Sequence, residues 1–427
     1  VGGAAGIALI ELRSSPRVLW AFETLRSACA PGPVTLESVY PSSGMPASEA
    51  AWSYFDRDET RPPRLAEDGL LDFGDGILDV IASAFWHLSR WEERSGARDR
   101  HGRFVASAAL ADPESPPVDA LLERFRAATG LARRPGFTVV LTHDVDTPLR
   151  WTGRGAVVSA GARLKQAIGH RRGEEIAAEA RGLASLPLLS LRRDDPNWSF
   201  QRIREIEAAH GARSTYFLLA GHHHPADGDG AAYDRVRARL VDLLAAQGDE
   251  IGLHPSYTTS DQPSRLTDEK RRLESLTGSP LRSVRFHFLR HRTHSSLAQL
   301  DALGFALDTS QGYAERPGLR AGFSFPHHPY DLAADRPLDL VELPLAVMDA
   351  TLSDRRYLGL SADQGLRRAV SVLERVADSG GTVAVLWHND RFAGPYARGW
   401  DRCYERLLSW VGERGGRLCA CEDVLAG

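Results

Sequence analysis

Cysteine is scarce in this sequence, and its scarcity excludes a fold held together by disulfides. The four cysteines, Cys29, Cys403, Cys419 and Cys421, are too few and too widely spaced for a disulfide framework. Cys419 and Cys421 alternate within a segment that we predict to be a late strand, so their side chains should share a face. Because no second Cys or His pair lies nearby, we interpret them as packing residues and not as metal ligands.

Long apolar runs are also missing, and with them the usual sequence signal of a membrane-spanning helix. The first residues, VGGAAGIALIELR, have neither a basic leader nor a clear cleavage site, so they predict a first strand and not a signal peptide. A processed start stays open, because residue 1 is Val. On these grounds we expect a cytoplasmic protein without an integral membrane segment.

Charge of one sign is not in excess either. The formal net charge is −4 and the charged fraction is 25%, which gives no support for a nucleic-acid partner. Lysine occurs only at Lys165 and Lys270, and genomic codon bias explains this preference for arginine more simply than function does. Phosphate-binding and dinucleotide-binding loops are absent, as is the Gly-x-Ser-x-Gly turn of many serine hydrolases. The composition is that of an ordinary globular enzyme.

The pattern along the chain changes near residues 130 to 136. Before that point the sequence has short apolar runs and two helical patterns, at 78–94 and 118–128. We therefore predict a smaller α/β domain over residues 1–130, followed by a second unit over 131–427. The role of the first domain is unknown. Positioning of a polymer, or dimerisation, is a hypothesis, and the oligomeric state is open.

Strands and amphipathic helices alternate through residues 131–427, which predicts a parallel α/β structure. The predicted strands are 137–143, 213–219, 249–254, 283–288, 305–308, 341–347, 382–387 and 417–421. Seven or eight such units fit a distorted (β/α)7-8 barrel better than an open sheet, although the count alone does not exclude a doubly wound fold. Residues 152–196 are a long insertion after the first strand, either a lid or a surface excursion.

Acidic and basic side chains follow five of the predicted strands at the point where each strand ends. Catalytic groups of a parallel barrel gather at this edge, because the loops after the strands share one face. The residues concerned are Asp144, Asp146, His254, Arg285, His287, Asp349 and His388. One histidine at a strand end is weak evidence, but this set is hard to assign to chance. His143 leaves its strand on the side opposite Asp144, so we interpret it as a supporting residue.

These residue types suit metal-assisted hydrolysis. A divalent ion held by Asp and His lowers the pKa of bound water to roughly 7 and polarises a carbonyl oxygen. Side chains at positions i and i+2 of a strand point the same way, so of Asp144 and Asp146 one can bind the metal while the other accepts a proton. An arginine beside the base would orient it, and a separate histidine can protonate the leaving group.

In this order the motifs resemble those of the polysaccharide deacetylase family, the NodB-homology carbohydrate esterases. The resemblance covers residues 137–425 and implies a distorted (β/α) barrel. THDVD is similar to the family's first motif, which implies Asp144 as catalytic base and Asp146 as metal ligand. GLHPSYTT is similar to the second motif, which implies His254 as ligand. Residues 1–130 resemble the extra domain that precedes the barrel in some large bacterial members.

Two later motifs complete the resemblance. VRFHFLR stands where the family places the arginine that braces the base, which implies Arg285. LWHN is similar to the last motif, which implies His388 as general acid. An acidic residue usually orients that histidine, and we choose Asp349 with Asp308 in reserve. The resemblance implies a divalent metal cofactor, with zinc expected.

The second motif departs from the family at one position. Its members commonly have a second histidine four residues after the first, but here that position is Thr258, and a hydroxyl is a poor zinc ligand. Some members carry Ser or Thr there and complete the shell with water. His287 could instead supply the missing nitrogen. A third alternative is weak metal binding by a non-catalytic protein.

The implied substrate is an acetylated glycan or amino sugar, and the implied reaction is N-deacetylation. O-acetyl esterase action is the alternative within the same chemistry, and a non-catalytic glycan-binding or assembly protein is the alternative outside it. The candidate substrate-binding residues are Trp151, Tyr257, Thr258, Arg320 and Trp387. Arg320 belongs to the segment 318–332, which either lines a sugar cleft or is a packed loop stiffened by proline. His222, His223 and His224 are interpreted as a solvated loop.

Overall fold

The structure is a computed structural model. It describes residues 15–36, 49–56, 62–74, 76–151, 173–184, 195–392 and 394–426, with a few positions between 161 and 169. The strand predicted near the start of the chain lies outside the described residues. So does most of the insertion predicted at 152–196.

Helices account for much of the described chain. They are α1 (Pro16–Ser27), α2 (Glu49–Asp56), α3 (Val80–Leu88), α4 (Pro117–Thr129), α5 (Gly173–Ala184), α6 (Phe200–Ala209), α7 (Gly230–Gln247), α8 (Pro263–Thr277), α9 (Thr293–Ala302), α10 (Asp349–Ser353), α11 (Ala362–Ser379), α12 (Trp400–Glu413) and α13 (Cys421–Leu425). None of them is long and apolar enough to cross a membrane, within the residues that are described.

Most of the strands are shorter than the helices. They are β1 (Arg64–Leu65), β2 (Leu71–Asp72), β3 (Thr138–Val145), β4 (Thr215–Leu219), β5 (Glu250–His254), β6 (Ser283–Val284), β7 (Leu307–Asp308), β8 (Tyr330–Asp331), β9 (Arg336–Pro337), β10 (Val341–Glu342), β11 (Leu345–Met348), β12 (Thr382–Leu386) and β13 (Arg417–Cys419). Every strand predicted between residues 137 and 421 is present. The one predicted at 341–347 is divided into β10 and β11.

A single sheet of parallel strands organises the second half of the chain. Its order is β10-β7-β6-β5-β4-β3-β12-β11, with β13 also paired to β3. The two ends of this path, β10 and β11, are separated in the chain only by Leu343 and Pro344. Because so short a link spans roughly 11 Å at most, the sheet must curl until its edges approach each other. The result is a curled parallel sheet with an outer layer of helices.

Both faces of this sheet are buried, as parallel strands require. Along β3, Val139 and Leu141 belong to the large apolar cluster that the outer helices complete. Val140 belongs to a separate cluster within the curl. Cys419 and Cys421 lie in that inner cluster as buried free thiols, which confirms their interpretation as packing residues.

Helix α11 shows how the sequence defines an outer helix. Ser361 and Gln364 form a reciprocal capping box at its start, and Gly380, at φ 78°, ends it in a left-handed conformation. Apolar residues recur at helical spacing along one face, and these are the ones that the sheet buries. Local sequence and tertiary burial therefore agree for this helix.

The region before residue 130 shares its apolar core with the second half of the chain. Its aromatic and aliphatic residues, from Val18 to Phe125, form one buried cluster that also includes Phe323, Phe325 and Tyr330. The independence of residues 1–130 as a domain therefore stays a prediction.

Strand register brings the polar strand ends to one level. Asp144 is paired with Phe217 of β4, and Leu219 of β4 is paired with His254 of β5. Two residues further along β3, Asp146 therefore stands at the level of His254. On the other side of β3, Leu386 of β12 is paired with Thr142, which places His388 at the level of Asp144.

Candidate metal centre and active site

Asp146, His254 and His287 converge after β3, β5 and β6. Nε2 of His254 lies 3.2 Å from Oδ1 of Asp146, and Nε2 of His287 lies 3.4 Å from the same oxygen. One ligand atom from each residue lies within 4.8 Å of the other two. Among the described residues, this is the one group of three or more His, Cys, Asp or Glu side chains with such geometry.

The two imidazoles are oriented from behind, as metal-binding histidines usually are. Nδ1–H of His254 donates to the carbonyl oxygen of Arg285 at 2.6 Å, and Nδ1–H of His287 donates to Oδ1 of Asp227 at 3.1 Å. Both Nε2 atoms therefore face Asp146. Within the described part of the chain, Nε2 of His254 and Oδ1 of Asp146 are buried without a hydrogen-bond partner. Such a set of donors fits a cation.

The hydroxyl of Thr258 has a hydrogen-bond partner outside the group of Asp146, His254 and His287. Its Oγ1 accepts a hydrogen bond from Nη1 of Arg265 at 2.7 Å, so the hydroxyl is turned to a neighbouring cationic side chain. His287 instead begins a short 3-10 turn three residues after the end of β6, and its backbone N–H donates to the carbonyl of Pro255 beside His254. Of the alternatives that the sequence left open, the geometry favours His287 as the third ligand.

Asp144 lies beside this group and is paired with Arg285. Oδ1 of Asp144 is 3.1 Å from Nη1 of Arg285, and Oδ2 is 3.7 Å from Nε2 of His254. Arg285 is 0% exposed and is itself held by Thr142 (Nη1 to Oγ1, 2.7 Å) and by the carbonyl of Thr309 (2.9 Å). One carboxylate oxygen is thus fixed by the arginine, while the other faces the metal ligands.

On the other side of Asp146 lies a second hydrogen-bonded pair, formed by His388 and Asp349. Nδ1–H of His388 donates to Oδ1 of Asp349 at 2.6 Å, and Oδ2 of Asp349 accepts from Nε of Arg391 at 2.7 Å. Nε2 of His388 is 3.7 Å from Oδ2 of Asp146. Asp308, the reserve candidate, instead accepts from Ser310 within the sheet. Asp349 is therefore the residue that orients His388.

Charge controls the protonation of this pair. Burial by itself lowers the pKa of His388, but the carboxylates of Asp349 and Asp146 outweigh it and raise the pKa from 6.5 to about 10. Burial by itself raises the pKa of Asp349, but His388 and Arg391 outweigh it and lower that pKa to about 2. At neutral pH His388 is accordingly a cationic proton donor held by an anion.

In the candidate metal site, too, neighbouring charges outweigh the effect of burial on the pKa values. Burial opposes the charge on Asp146, yet the imidazoles of His287 and His254 hold its pKa well below the ordinary value. Burial lowers the pKa of His287, but Asp146 and then Asp227 raise it to about 9. Asp146 is therefore an anion and His287 carries a proton at neutral pH until a metal displaces it.

Asp227 is a residue of the candidate site that the sequence analysis missed. It accepts backbone N–H bonds from His223 (3.1 Å), His224 (3.0 Å) and Tyr257 (2.7 Å), in addition to the imidazole of His287. The signal available was an acidic residue in the loop after β4, on the face where the other strands end. His223 and His224 are exposed, in agreement with the interpretation of a solvated loop, and their backbone N–H groups help to fix Asp227.

Two candidate substrate-binding residues are buried too deeply for that role. Trp387 is 0% exposed and donates from Nε1 to the carbonyl of Trp400 at 3.2 Å. Arg320 is 3% exposed, and its Nη2 lies 2.6 Å from Oε2 of Glu93. Trp387 is thus a core residue and Arg320 a structural ion-pair partner, and both predictions are corrected. Large side chains at strand ends have the same local pattern whether they face solvent or the core.

The remaining candidates lie at different depths. Tyr257 is half-buried at the rim, where its ring stacks on His224 (centroids 4.3 Å apart) and its hydroxyl meets Nδ1 of His101 at 2.8 Å. Thr258 is also half-buried. Trp151 is 4% exposed, and its backbone N–H donates to Asp195. Tyr257 is the candidate best placed to meet a substrate.

The segment 318–332 is a packed loop. Phe323, Phe325 and Tyr330 lie in the apolar cluster of the N-terminal region, so the sugar-cleft alternative has no exposed aromatic face there. His143 is fully buried, with its ring nitrogens 2.6 Å from the carbonyl of Trp387 and 2.8 Å from the carboxylate of Glu207. His143 thus supports the core, as its position in the strand indicates.

Comparison with known proteins gives one family match. Residues 54–128 match a family of unknown function (DUF7033). No curated protein sequence matches the chain. The family match lies in the N-terminal region and contains none of the metal-site residues.

Three solved structures illustrate what the chain is similar to. A Mycobacterium smegmatis protein assigned to the polysaccharide deacetylases is 18% identical, with 65% of this chain and 84% of that chain covered and a TM-score of 0.42. The catalytic domain of a peptidoglycan N-acetylglucosamine deacetylase from Eubacterium rectale is 10% identical, with 67% and 90% covered and a TM-score of 0.35. A CE4 family pseudoenzyme from Bacillus anthracis is 14% identical, with 69% and 67% covered and a TM-score of 0.37.

Proposed function

We propose that this chain is a metal-dependent hydrolase that removes acetyl groups from N-acetylated amino sugars of a glycan. The observation that carries the proposal is the meeting of three groups around Asp146. These are a site with two histidines and one carboxylate, a carboxylate braced by an arginine, and a histidine braced by a carboxylate. A purely structural site would need neither the second nor the third group.

Asp146, His254 and His287 would hold the metal. Two imidazole nitrogens and one carboxylate oxygen form a donor set that suits zinc, and three protein ligands leave room for substrate. A divalent cation there supplies a Lewis acid that polarises the acetyl carbonyl and acidifies water.

Asp144 is the proposed general base. Its Oδ2 faces the metal ligands while Arg285 holds Oδ1, so the carboxylate presents one oxygen to a water in a fixed orientation. Asp144 takes a proton from the water as the water oxygen bonds to the acetyl carbon. Arg285 keeps its position because Thr142 and Thr309 hold the guanidinium.

His388 is the proposed general acid. When the carbon–nitrogen bond breaks, the sugar nitrogen takes the proton from Nε2 of His388 and leaves as an amine, with acetate as the other product. Asp349 stabilises the protonated imidazole, and Arg391 keeps Asp349 in place. A proton donor fixed in this position favours amide over ester cleavage. The nitrogen of an amide leaves only when it is protonated, whereas the alkoxide of an ester is a better leaving group than an amide anion. O-Acetyl esterase action remains the second candidate.

The direct test is acetate release by the purified zinc-loaded protein. The substrates are an N-acetylated chito-oligosaccharide and an O-acetylated xylan, and the variants are Asp144→Asn and His388→Gln. We expect either change to lower kcat for the N-acetylated substrate by about 10²–10⁴-fold while zinc stays bound. Asp363→Asn removes an exposed carboxylate at the start of α11 and should leave kcat unchanged.

Two results would contradict the proposal. Full activity in Asp144→Asn would remove the assigned base. Zinc-loaded protein that binds the glycan but releases no acetate would identify a non-catalytic glycan-binding protein. The glycan, zinc as the metal, the cytoplasmic location and the role of residues 1–130 stay predictions.

A further inference from the structure

The third metal ligand is delivered by an unusual turn. His287 is followed by Phe288 at φ 61° and Leu289 at φ 53°, a left-handed conformation that residues with a Cβ seldom adopt. In the described part of the chain, no other two consecutive non-glycine residues both have positive φ. Two such residues in succession persist only where the surrounding structure holds them.

The second half of the chain holds part of this turn, through the bond from the His287 N–H to Pro255 and the bond from Arg290 to the carbonyl of Tyr257. The contacts to the carbonyl of Phe288 and to Nε of Arg290 come from the N-terminal region. Nη1 of Arg103 donates to the carbonyl oxygen of Phe288 at 2.9 Å. In the opposite direction, Nε of Arg290 donates to the carbonyl oxygen of His101 at 2.8 Å, and the rings of His101 and Phe288 lie 5.3 Å apart. Residues 99–103, which we call the clamp turn, therefore form hydrogen bonds at both the start and the end of the strained segment, at Phe288 and at Arg290.

The clamp turn is held together by hydrogen bonds of its own. Oδ2 of Asp99 accepts from Nε (2.8 Å) and Nη2 (2.7 Å) of Arg103, and Oδ1 accepts from the backbone N–H groups of His101 and Arg103. Gly102, at φ 76°, allows the tight reversal, and Arg98 and Phe104 form an antiparallel bridge at its base. The Arg103 side chain is nearly buried, and its ion pair with Asp99 orients the guanidinium group toward Phe288.

We infer that Arg103 is a positioning residue for His287, and that the clamp turn completes the metal site. The inference rests on the metal site of the proposed function and goes beyond it, because it assigns the N-terminal region a part in metal binding. The reason lies at Thr258: without a histidine there, the second imidazole nitrogen of the site comes from His287, at the start of a turn with two successive residues at positive φ. If Arg103 is removed, the turn can relax and carry the His287 ring away from Asp146.

The test measures zinc affinity of the full chain by competition with a chromophoric chelator. Arg103→Ala should weaken zinc binding by about 10- to 100-fold, the usual effect of losing a group that supports a ligand. Arg103→Lys keeps the charge but offers a single donor head, so it should recover part of the affinity.

Arg126→Ala is the matched control. Arg126 is similarly buried and is paired with Glu123 (2.6 Å). Its Nη2 donates to the carbonyl of Ala28 (2.9 Å) within the N-terminal region and to the carbonyl of Ser379 (3.4 Å) in the second half of the chain. Its contacts are remote from the metal ligands. Zinc affinity of Arg126→Ala should therefore equal that of the unmodified protein, even if its melting temperature falls.

A double-mutant cycle separates positioning from general loosening. In a His287→Ala background, Arg103→Ala should change zinc affinity by less than about 3-fold, because the ligand it positions is gone. An undiminished effect in that background would overturn the inference, as would equal losses in Arg103→Ala and Arg126→Ala. Unchanged affinity in Arg103→Ala would refute the clamp and leave the metal site standing. Absence of zinc binding by the unmodified chain would overturn both.

Discussion

Replacement of Asp349 by Asn should lower the pKa of His388 sharply. In the native chain that pKa is raised from 6.5 to about 10, although burial opposes the rise, and the carboxylate of Asp349 at 2.6 Å is the largest cause of it. At about 1.4 kcal/mol per pKa unit, the rise is worth on the order of 5 kcal/mol. Asp146 and Asp144 supply the rest.

The Asn variant isolates the charge from the geometry. Its side-chain oxygen can still accept from Nδ1–H of His388, but it carries no charge. Arg391 also loses its nearest carboxylate partner and keeps only the more distant Asp390, so more of its positive charge acts on the imidazole. Without the charge of Asp349, less negative charge remains to offset the effect of burial, which disfavours the protonated form of His388. We expect the pKa of His388 to fall by at least about two units, to about 8 or below.

The assay is an NMR titration of the imidazole C–H signals in metal-free protein, which needs no substrate. The His388 signal is identified by its loss in His388→Gln. Asp390→Asn is the matched control, because it removes the same charge from a half-exposed carboxylate that lies 3.6 Å from Arg391, and it should shift the pKa by less than about half a unit. A His388 pKa that stays within half a unit of the native value in Asp349→Asn would refute the reasoning.

Two further predictions concern protons. Zinc binding should release about one proton at pH 7, because the pKa of His287 is about 9 and only its neutral ring binds metal. The apparent zinc affinity should therefore fall about tenfold for each pH unit below that pKa. Calorimetry in buffers of different ionisation enthalpy measures the released proton, and a result of no release would contradict the prediction. Asp119 has its pKa raised by burial from 3.8 to about 7, against hydrogen bonds from Ser324, so it binds a proton more readily in the folded than in the unfolded chain. The stability from that proton is present below pH 4 and lost as pH rises through 7, on the order of 1 kcal/mol per pH unit. Asp119→Asn should flatten the pH dependence of urea unfolding, and an unchanged slope would argue against the assignment.

The convergence of the polar strand ends could be predicted from the sequence. Parallel strands place their carboxyl ends along one edge, so a strand-by-strand reading was enough to bring Asp144, His254 and His388 to a common place. The strands themselves followed from apolar runs bounded by helical periodicity, which are local properties. The curl of the sheet depends on the division of the strand predicted at 341–347 into β10 and β11, which only the structure shows.

Burial of individual side chains could not be predicted in the same way. Trp387 follows β12 just as His388 does, yet Trp387 packs inward and His388 faces Asp146. Arg320 belongs to a loop with aromatic residues, but the partner that buries it, Glu93, lies more than two hundred residues earlier in the chain. Nothing in the local pattern distinguishes such a residue from one at a cleft.

The sequence by itself determined the positions of the strands along the chain, the chemistry of the strand ends and the doubt about Thr258. Those properties depend on neighbours along the chain and on the rule that parallel strands end together. Only the tertiary structure decided that His287 reaches Asp146, that Asp227 orients its ring and that Arg103 holds the turn behind it. These contacts join distant segments, and their distances depend on how the whole chain packs.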